Sequence, residues 1–336
     1  MTERVKPRAD YLDVISGLLI IHMIVGHILQ FSGLHGTGIF YDHVSHVLFF
    51  FMPWFYFKAG LFVSRKGDMR TWVEKDVRRL IVPFVIFSIL GMILYVPFEF
   101  LETDRVWWKI LGSPVVSVLK VGSMGGNLAL WFLLNLFLVR LLYKILPERF
   151  QLGAVVIAIL IGFTLCHFKI VLPITLSTMF PGIAFLLFGS YSKPYVMGDK
   201  VKVLNYWWQI ALIIAFVLSI IFLNPRCNMR MNDAHSNYFV WIFCSWLGCL
   251  SLIIIFKKLP TIGPFAYIGR HSMTYYVIHW LPLYFSSHIV RYFYPDIDQY
   301  ALTAILITFV FLTLALFTWK DKWIPAWWVG EKKQIK

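Results

Sequence analysis

Ten apolar segments, each about as long as a helix that crosses a lipid bilayer, recur along this chain of 336 residues. An α-helix rises 1.5 Å per residue, so about 20 apolar residues cover the ~30 Å hydrocarbon layer. The predicted spans are roughly 11–31, 43–64, 80–98, 127–146, 152–168, 171–191, 204–223, 238–256, 272–290 and 300–319. This pattern predicts an all-α fold, a polytopic membrane helix bundle of about ten transmembrane helices. Because the spans use nearly all of the length, we expect one membrane-embedded domain over residues 1–336.

The composition excludes an ordinary soluble domain. The chain is 59% hydrophobic and 14% charged, with a mean hydropathy of +0.72, whereas soluble domains are about 45–50% apolar and about 25% charged. Only one of the four cysteines, Cys227, falls in a predicted loop. Neither a disulfide framework nor a metal site is therefore predicted.

The lysines and arginines fall mostly on one side of the predicted membrane. Of the 31, 23 flank that side, seven lie in the opposite loops, and Lys58 lies inside a span. Cytoplasmic loops are enriched in these residues, so both termini are predicted to be cytoplasmic. The net charge of +14 then follows from topology and gives no reason to expect nucleic-acid binding. No small-residue cleavage site follows the basic N-terminal flank, so we expect the first span to be retained.

The first span contains three ionisable residues, Asp13, His22 and His27. Such groups are costly in hydrocarbon and usually face a protein interior or a watery cavity. His27 lies 14 residues beyond Asp13, which is ~21 Å deeper along a helix. His22 and His27 are about 140° apart around the helix axis, so we expect at most one of them to line a given cavity. Each could instead be a core histidine bonded to a neighbouring helix.

The second span and the loop after it hold the basic residues that could meet a ligand. Lys58 follows the Met-Pro pair of "FFFMPWFYFKAGLF", and it could either extend towards the interface or pair with Asp13. We favour the ion pair, because extension would leave Asp13 unexplained. Arg78 and Arg79 begin the third span, where guanidinium groups could hold phosphates.

Two later spans contain polar side chains at membrane depth. Trp131 and Asn135 are four positions apart and share a helix face, and an intramembrane asparagine needs a hydrogen-bond partner. His279 lies two turns into the ninth span, and the alternative for it is again a satisfied core histidine.

Together these segments resemble the acyltransferase 3 family, integral-membrane enzymes that O-acylate, usually O-acetylate, bacterial surface carbohydrates. The resemblance runs through nearly the whole chain in order. It rests on the segments "YLDVISGLLIIHMIVGH", "FFFMPWFYFKAGLF", "RRLIVPF", "LWFLLNLF" and "YIGRHSMTYYVIH".

The resemblance implies a multi-pass protein of a bacterial inner membrane that uses acetyl-CoA, or another short acyl-CoA, as donor and binds no permanent cofactor. His27 would be the general base or a transient acyl carrier, and the acceptor a carbohydrate, lipid-linked by preference. Membrane lipids would be the other partner. The candidate residues are His27 and Asp13 for catalysis, Lys58, Arg78, Arg79 and Trp131 for the donor, and Asn135 and His279 for the substrate.

The chain departs from the family pattern at three positions. Ser16 stands where the family commonly has a basic residue, Ala59 where it has a small hydroxyl residue, and Asp76 where a basic residue is frequent. We suggest that Lys58 supplies the charge missing at Ser16. Loss of activity in Lys58→Ala and its partial return in Ser16→Arg/Lys58→Ala would support this, and full activity in Lys58→Ala would contradict it.

Two further expectations concern the acceptor and the class of protein. The chain ends about 17 residues after its last predicted span, so we expect no appended extracytoplasmic domain and an acceptor anchored in the membrane. The alternative function is a transporter that exports a carbohydrate or small metabolite, which would share the spans and buried charges but need no CoA. A non-catalytic scaffold would leave Asp13, His27 and Lys58 unexplained.

Overall fold

The protein is almost entirely helical in a computed structural model that describes residues 9–34, 36, 38, 40–197, 206–319 and 325–330. The basic residues counted at 1–8, 198–205, 320–324 and 331–336 lie outside the described residues. The described α-helices, numbered in chain order, are α1 Asp10–Ser32, α2 Phe51–Phe62, α3 Met69–Asp76, α4 Val82–Glu102, α5 Trp107–Val121, α6 Trp131–Ile145, α7 Gln151–His167, α8 Leu176–Val196, α9 Tyr206–Leu223, α10 Tyr238–Lys258, α11 Gly263–Arg270, α12 Ser272–Ile278, α13 Trp280–Phe293 and α14 Gln299–Trp319. Two short antiparallel strands, β1 Cys227–Asn228 and β2 Asp233–Ala234, form a hairpin between α9 and α10.

Seven helical segments of the described chain are long and apolar enough to cross a membrane. They are Asp10–Ser32, Met69–Glu102, Leu128–Ile145, Glu148–His167, Tyr206–Leu223, Tyr238–Lys258 and Gln299–Thr318. The all-α membrane bundle is therefore confirmed, while the count of about ten spans and the sidedness of the termini stay predictions.

The remaining three predicted spans are interrupted or less apolar. Segment 43–64 divides into a π-helical turn, Phe40–Ser45, and the 12-residue α2. Segment 272–290 divides at His279 into α12 and α13. Pro282 causes part of this break, because proline has no N–H to bond the carbonyl four residues earlier. Segment 171–191 contributes to α8, whose 21 residues contain two internal prolines.

Helix α1 lies at the centre of the bundle, with its residues mostly buried. It packs very closely against α11, because Gly17 lies against the carbonyl of Phe265 and Gly269 against the carbonyl of Asp13. Helix α2 approaches α8 in the same way, through Gly60. Small residues let membrane helices approach to backbone contact, where packing and polar bonds, rather than the hydrophobic effect, drive association. These two contacts bring the polar residues of α1 and α2 together.

Candidate functional site

Two adjoining cavities are lined by residues of the bundle. The first, which we call the basic cavity, has a volume of about 400 Å³ and includes Lys58, Arg79 and Arg140 in its lining. The second, the histidine cavity, has a volume of about 490 Å³ and includes both His22 and His27. The side chains that line both cavities are Met23, Met52 and Tyr276. These three residues lie between the compartment lined by Lys58, Arg79 and Arg140 and the one that contains the candidate base.

Lys58 forms the predicted ion pair with Asp13. Its Nζ lies 3.3 Å from Asp13 Oδ1 and donates a 2.7 Å hydrogen bond to Ser16 Oγ. Trp54 Nε1 donates to the same hydroxyl at 3.1 Å. The lysine side chain is 20% exposed, and it faces the basic cavity instead of extending to the interface. The ammonium of α2 therefore lies directly beside the position where the resembled pattern has a basic residue.

Arg140 is a cavity cation that the sequence reasoning counted only as positive-inside charge. Its Nε and Nη2 donate to the two carboxylate oxygens of Asp76 at 2.6 and 3.0 Å, and its guanidinium lies 5.7 Å from the centre of the Trp72 ring. Such a bidentate pair fixes the plane of the guanidinium. The signal in the sequence was Asp76 itself, an acidic residue at a position that is often basic.

The two predicted donor-binding arginines differ in position. Both are exposed, but only Arg79 lines the basic cavity. Both belong to a π-helical turn, Val77–Ile81, between α3 and α4. Pro83 removes a backbone donor just after this turn, which explains a local departure from α-helical bonding.

His27 is hydrogen-bonded to His279, a residue 252 positions away, with 3.0 Å between His27 Nδ1 and His279 Nε2. His279 Nδ1 lies 2.7 Å from the carbonyl oxygen of Tyr276, which can only accept, so Nδ1 carries the proton. In neutral His279 the acceptor is then Nε2, and His27 Nδ1–H donates to it. Neutral His27 consequently holds its lone pair on Nε2. The two rings are within 8° of coplanar, and the Trp280 ring meets His27 edge-on.

This arrangement shows what His279 does in the fold. It is fully buried, and it does not belong to the lining of the histidine cavity. The predicted substrate contact is therefore not what the geometry supports, because both ring nitrogens are engaged by Tyr276 and His27. His279 instead positions His27, as the carboxylate does in a hydrolase triad.

The expectation that at most one histidine of α1 lines a given cavity is wrong. His22 and His27 both line the histidine cavity, together with Met23, Gly26 and Gln30 from the same helix. The cavity is wide enough to extend around α1, so the angle between the two side chains does not separate them. His22 is buried, and its ring stacks on Phe40 with 5.1 Å between centroids.

The remaining predicted residues divide between the cavities and the core. Trp131 lines the histidine cavity, not the basic one. Asn135 lines neither cavity, because Tyr56 donates to its Oδ1 at 2.5 Å and its Nδ2 donates to Thr175. Asn135 links α6 to its neighbours, and its side chain has no place in either cavity. Asp13 lies about 21 Å along α1 from His27, so it positions Lys58 and does not contact the same reacting atom.

No group of three metal-binding side chains occurs in the part of the chain that the structure describes. Residues 9–320 match the model of a protein family described as "Acyltransferase domain" (Acyl_transf_3). The match covers nearly the whole chain and includes every candidate residue above. No curated protein matches the chain.

Proposed function

Because the chain belongs to the acyltransferase 3 family, we propose that it moves a short acyl group, acetyl by expectation, from acyl-CoA to a hydroxyl of a carbohydrate. The observation that supports this most is the bonded pair of His27 and His279 in a cavity that adjoins a cationic one. Export of a carbohydrate would not require a histidine held in one tautomer.

The basic cavity is suited to part of the donor. Lys58, Arg79 and Arg140 give it cations at the end of the bundle predicted to face the cytoplasm, and guanidinium and ammonium groups bind phosphates well. Arg78, exposed beside the cavity, is placed to meet phosphates that remain outside it. The thin pantetheine arm would pass between Met23, Met52 and Tyr276 to bring the thioester to His27. Methionine side chains have several rotatable bonds and can rearrange around such a chain.

The chemistry follows from the tautomer of His27. As general base, Nε2 takes the proton of the acceptor hydroxyl while the oxygen attacks the thioester carbonyl; the carbon–sulfur bond breaks, and CoA leaves as the thiolate, which then takes up a proton. As acyl carrier, Nε2 attacks the thioester carbonyl, the carbon–sulfur bond breaks and CoA leaves as the thiolate. The acceptor hydroxyl then attacks the acyl-imidazole, the carbon–nitrogen bond breaks and frees Nε2, and the hydroxyl proton passes to the thiolate. In both routes His279 accepts the hydrogen bond that orients the ring. Trp131 lines the cavity in which the acyl group and the acceptor meet.

The histidine cavity would receive the acceptor from the opposite side of the membrane. A lipid-linked sugar is the acceptor we expect, in a bacterial inner membrane. The cavity has the size of a pocket for a small molecule or a short stretch of sugars.

The proposal is tested with membranes that contain the protein and with acetyl-CoA labelled in its acetyl group. Transfer to the lipid-sugar fraction is compared among wild type, His27→Ala and the control His167→Ala, an exposed histidine that lines neither cavity. We expect transfer in wild type and control and its loss in His27→Ala. Equal transfer in all three would remove His27 from the mechanism. If none of them transfers the label and CoA does not stabilise the purified protein, the proposal that acyl-CoA is the donor is contradicted.

A further inference from the structure

We propose that the histidine cavity selects an acceptor with an anionic group, a carboxylate or a phosphate, through Arg226 and Arg230. This inference rests on the proposed function, because it assigns the class of acceptor for the same cavity. Its basis is a pair of arginines that enter the cavity from the hairpin segment between α9 and α10. In the sequence these arginines were only two of the seven basic residues outside the positive side.

Arg230 is a mostly buried cation that has no carboxylate partner in the part of the chain that the structure describes. Its Nε is buried and has no hydrogen-bond partner, and its Nη2 lies 3.5 Å from Ser123 Oγ. Burial lowers the pKa of Arg230 from its ordinary value, because desolvation disfavours the charged form. A buried donor that lacks a partner costs free energy, more when the group is charged. A ligand anion would satisfy this donor.

Arg226 adds a second cation to the same lining. Its Nε and Nη2 lie 3.3 and 3.1 Å from His46 Nδ1. His46 Nε2 lies 3.1 Å from the carbonyl oxygen of Ile220, so it carries the proton and Nδ1 accepts from Arg226. The partner of Arg226 is therefore a neutral imidazole, and no ion pair joins this guanidinium to a carboxylate among the side chains that the structure describes.

The charges around the cavity agree with an anionic ligand. Among the described residues that line it, two are arginines and none is aspartate or glutamate. Arginine forks bind both carboxylate and phosphate with two parallel hydrogen bonds. An acidic sugar, or a sugar joined to a phosphate, would place its anion at the arginines and a hydroxyl near His27.

The segment that presents the arginines is held by bonds to two helices. Thr178 of α8 donates to the carbonyls of Met229 and Arg230 at 3.0 and 3.1 Å, and Asn232 donates to Gly162 of α7 at 2.9 Å. Arg226 is held by its own backbone, whose carbonyl accepts from His235 N at 3.1 Å. Side chains on a fixed backbone bind a ligand with less ordering cost than side chains on a mobile loop.

The test measures the midpoint of thermal unfolding of the full chain in nanodiscs of zwitterionic lipid, with sugar probes. The probes are glucuronate for a carboxylate, glucose 1-phosphate for a phosphate, neutral glucose and inorganic phosphate. A ligand that binds only the folded state raises this midpoint, and at a given concentration a tighter ligand raises it more. We expect at least one anionic sugar to stabilise the protein where glucose and inorganic phosphate at the same concentration do not. Stabilisation by glucuronate would identify a carboxylate as the anionic group, and stabilisation by glucose 1-phosphate would identify a phosphate.

Three arginine variants complete the design. Arg230→Gln and Arg226→Gln should each weaken binding of the anionic sugar at least tenfold. The control Arg105→Gln removes a cation from another loop predicted on the same side, where Arg105 pairs with Glu99 and lines neither cavity, and it should bind as wild type does. If Arg230→Gln does not fold, the binding measured with Arg226→Gln tests the proposal, because Arg226 is exposed and its substitution should leave the fold intact.

Stabilisation by CoA separates this inference from the proposed function. CoA should stabilise wild type and all folded variants alike, because the donor is assigned to the other cavity. If CoA does not raise the unfolding midpoint of wild type, the proposal that acyl-CoA is the donor is contradicted, independently of the results with the sugars. Equal stabilisation by glucose, equal stabilisation by inorganic phosphate, or unchanged binding in both cavity-arginine variants would overturn the anionic acceptor.

Discussion

At the scale of single residues, the site depends on side chains supplied from neighbouring helices. Lys58 of α2 places its ammonium 2.7 Å from the hydroxyl of Ser16, and Arg140 of α6 is bound to Asp76. Both acceptors stand where the resembled family pattern commonly has a basic residue. The cavity thus retains cations close to those positions, although each comes from a different helix.

His279 is the residue whose positioning role can be measured most directly. His279→Leu removes the acceptor for His27 Nδ1–H, so kcat for acyl transfer should fall about 10²-fold or more, since losing the orienting group of a hydrolase triad costs up to ~10⁴. His279→Gln keeps a donor for Tyr276 and an acceptor for His27, so it should retain part of the rate. The KM for acyl-CoA should stay unchanged in both. Equal kcat in the leucine and glutamine variants would show that His279 only fills space.

At the scale of helices, glycines determine how α1 meets α11. Gly17 and Gly269 each lie against a carbonyl of the opposite helix, which leaves no space for a side chain. This contact fixes the start of α1, where Asp13 and Ser16 meet Lys58. The break between α12 and α13 acts at the other end, because it directs His279 towards His27.

A matched pair of glycine substitutions tests this contact. Gly269→Ala places a methyl group against the carbonyl of Asp13, so α1 and α11 must separate, and overpacking of this kind costs about 1–3 kcal/mol. Gly153→Ala, in α7, meets nothing within 4 Å, and alanine is the better helix former. The unfolding midpoint of purified protein should fall for the first variant and stay equal or rise for the second. A midpoint for Gly269→Ala equal to that of wild type would mean that the helices do not touch so closely.

At the scale of the whole molecule, the two cavities meet at Met23, Met52 and Tyr276. Tyr276 is fixed there, since its hydroxyl donates to the carbonyl of Ala129 and its side chain is buried. The methionines are unbranched and adaptable. In the proposed reaction this partition admits a thin acyl chain and keeps the bulky groups of donor and acceptor apart.

Met52 offers a test of that passage. Met52→Trp should reduce acyl transfer at least tenfold while CoA still stabilises the protein, because the bulky ring blocks the arm but not the cations. Met52→Ala opens the passage and should retain most of the transfer. Labelled transfer and the CoA-dependent unfolding midpoint are measured for both. Wild-type transfer in the tryptophan variant would show that the acyl group takes another route.

The sequence by itself determined the membrane class, the helical fold and the family, because long apolar segments and short motifs are local properties of the chain. It also predicted the pair of Lys58 with Asp13, since two opposite charges at similar depth in adjacent spans have few other partners. Tertiary structure alone decided that His279 holds His27, that Arg140 faces a cavity, and that His22 and His27 share one. It also brought Arg226 and Arg230 into the lining of the cavity that contains the candidate base. These outcomes depend on how helices that are far apart in the chain pack against one another. The hydropathy of a segment does not determine which helix faces are in contact.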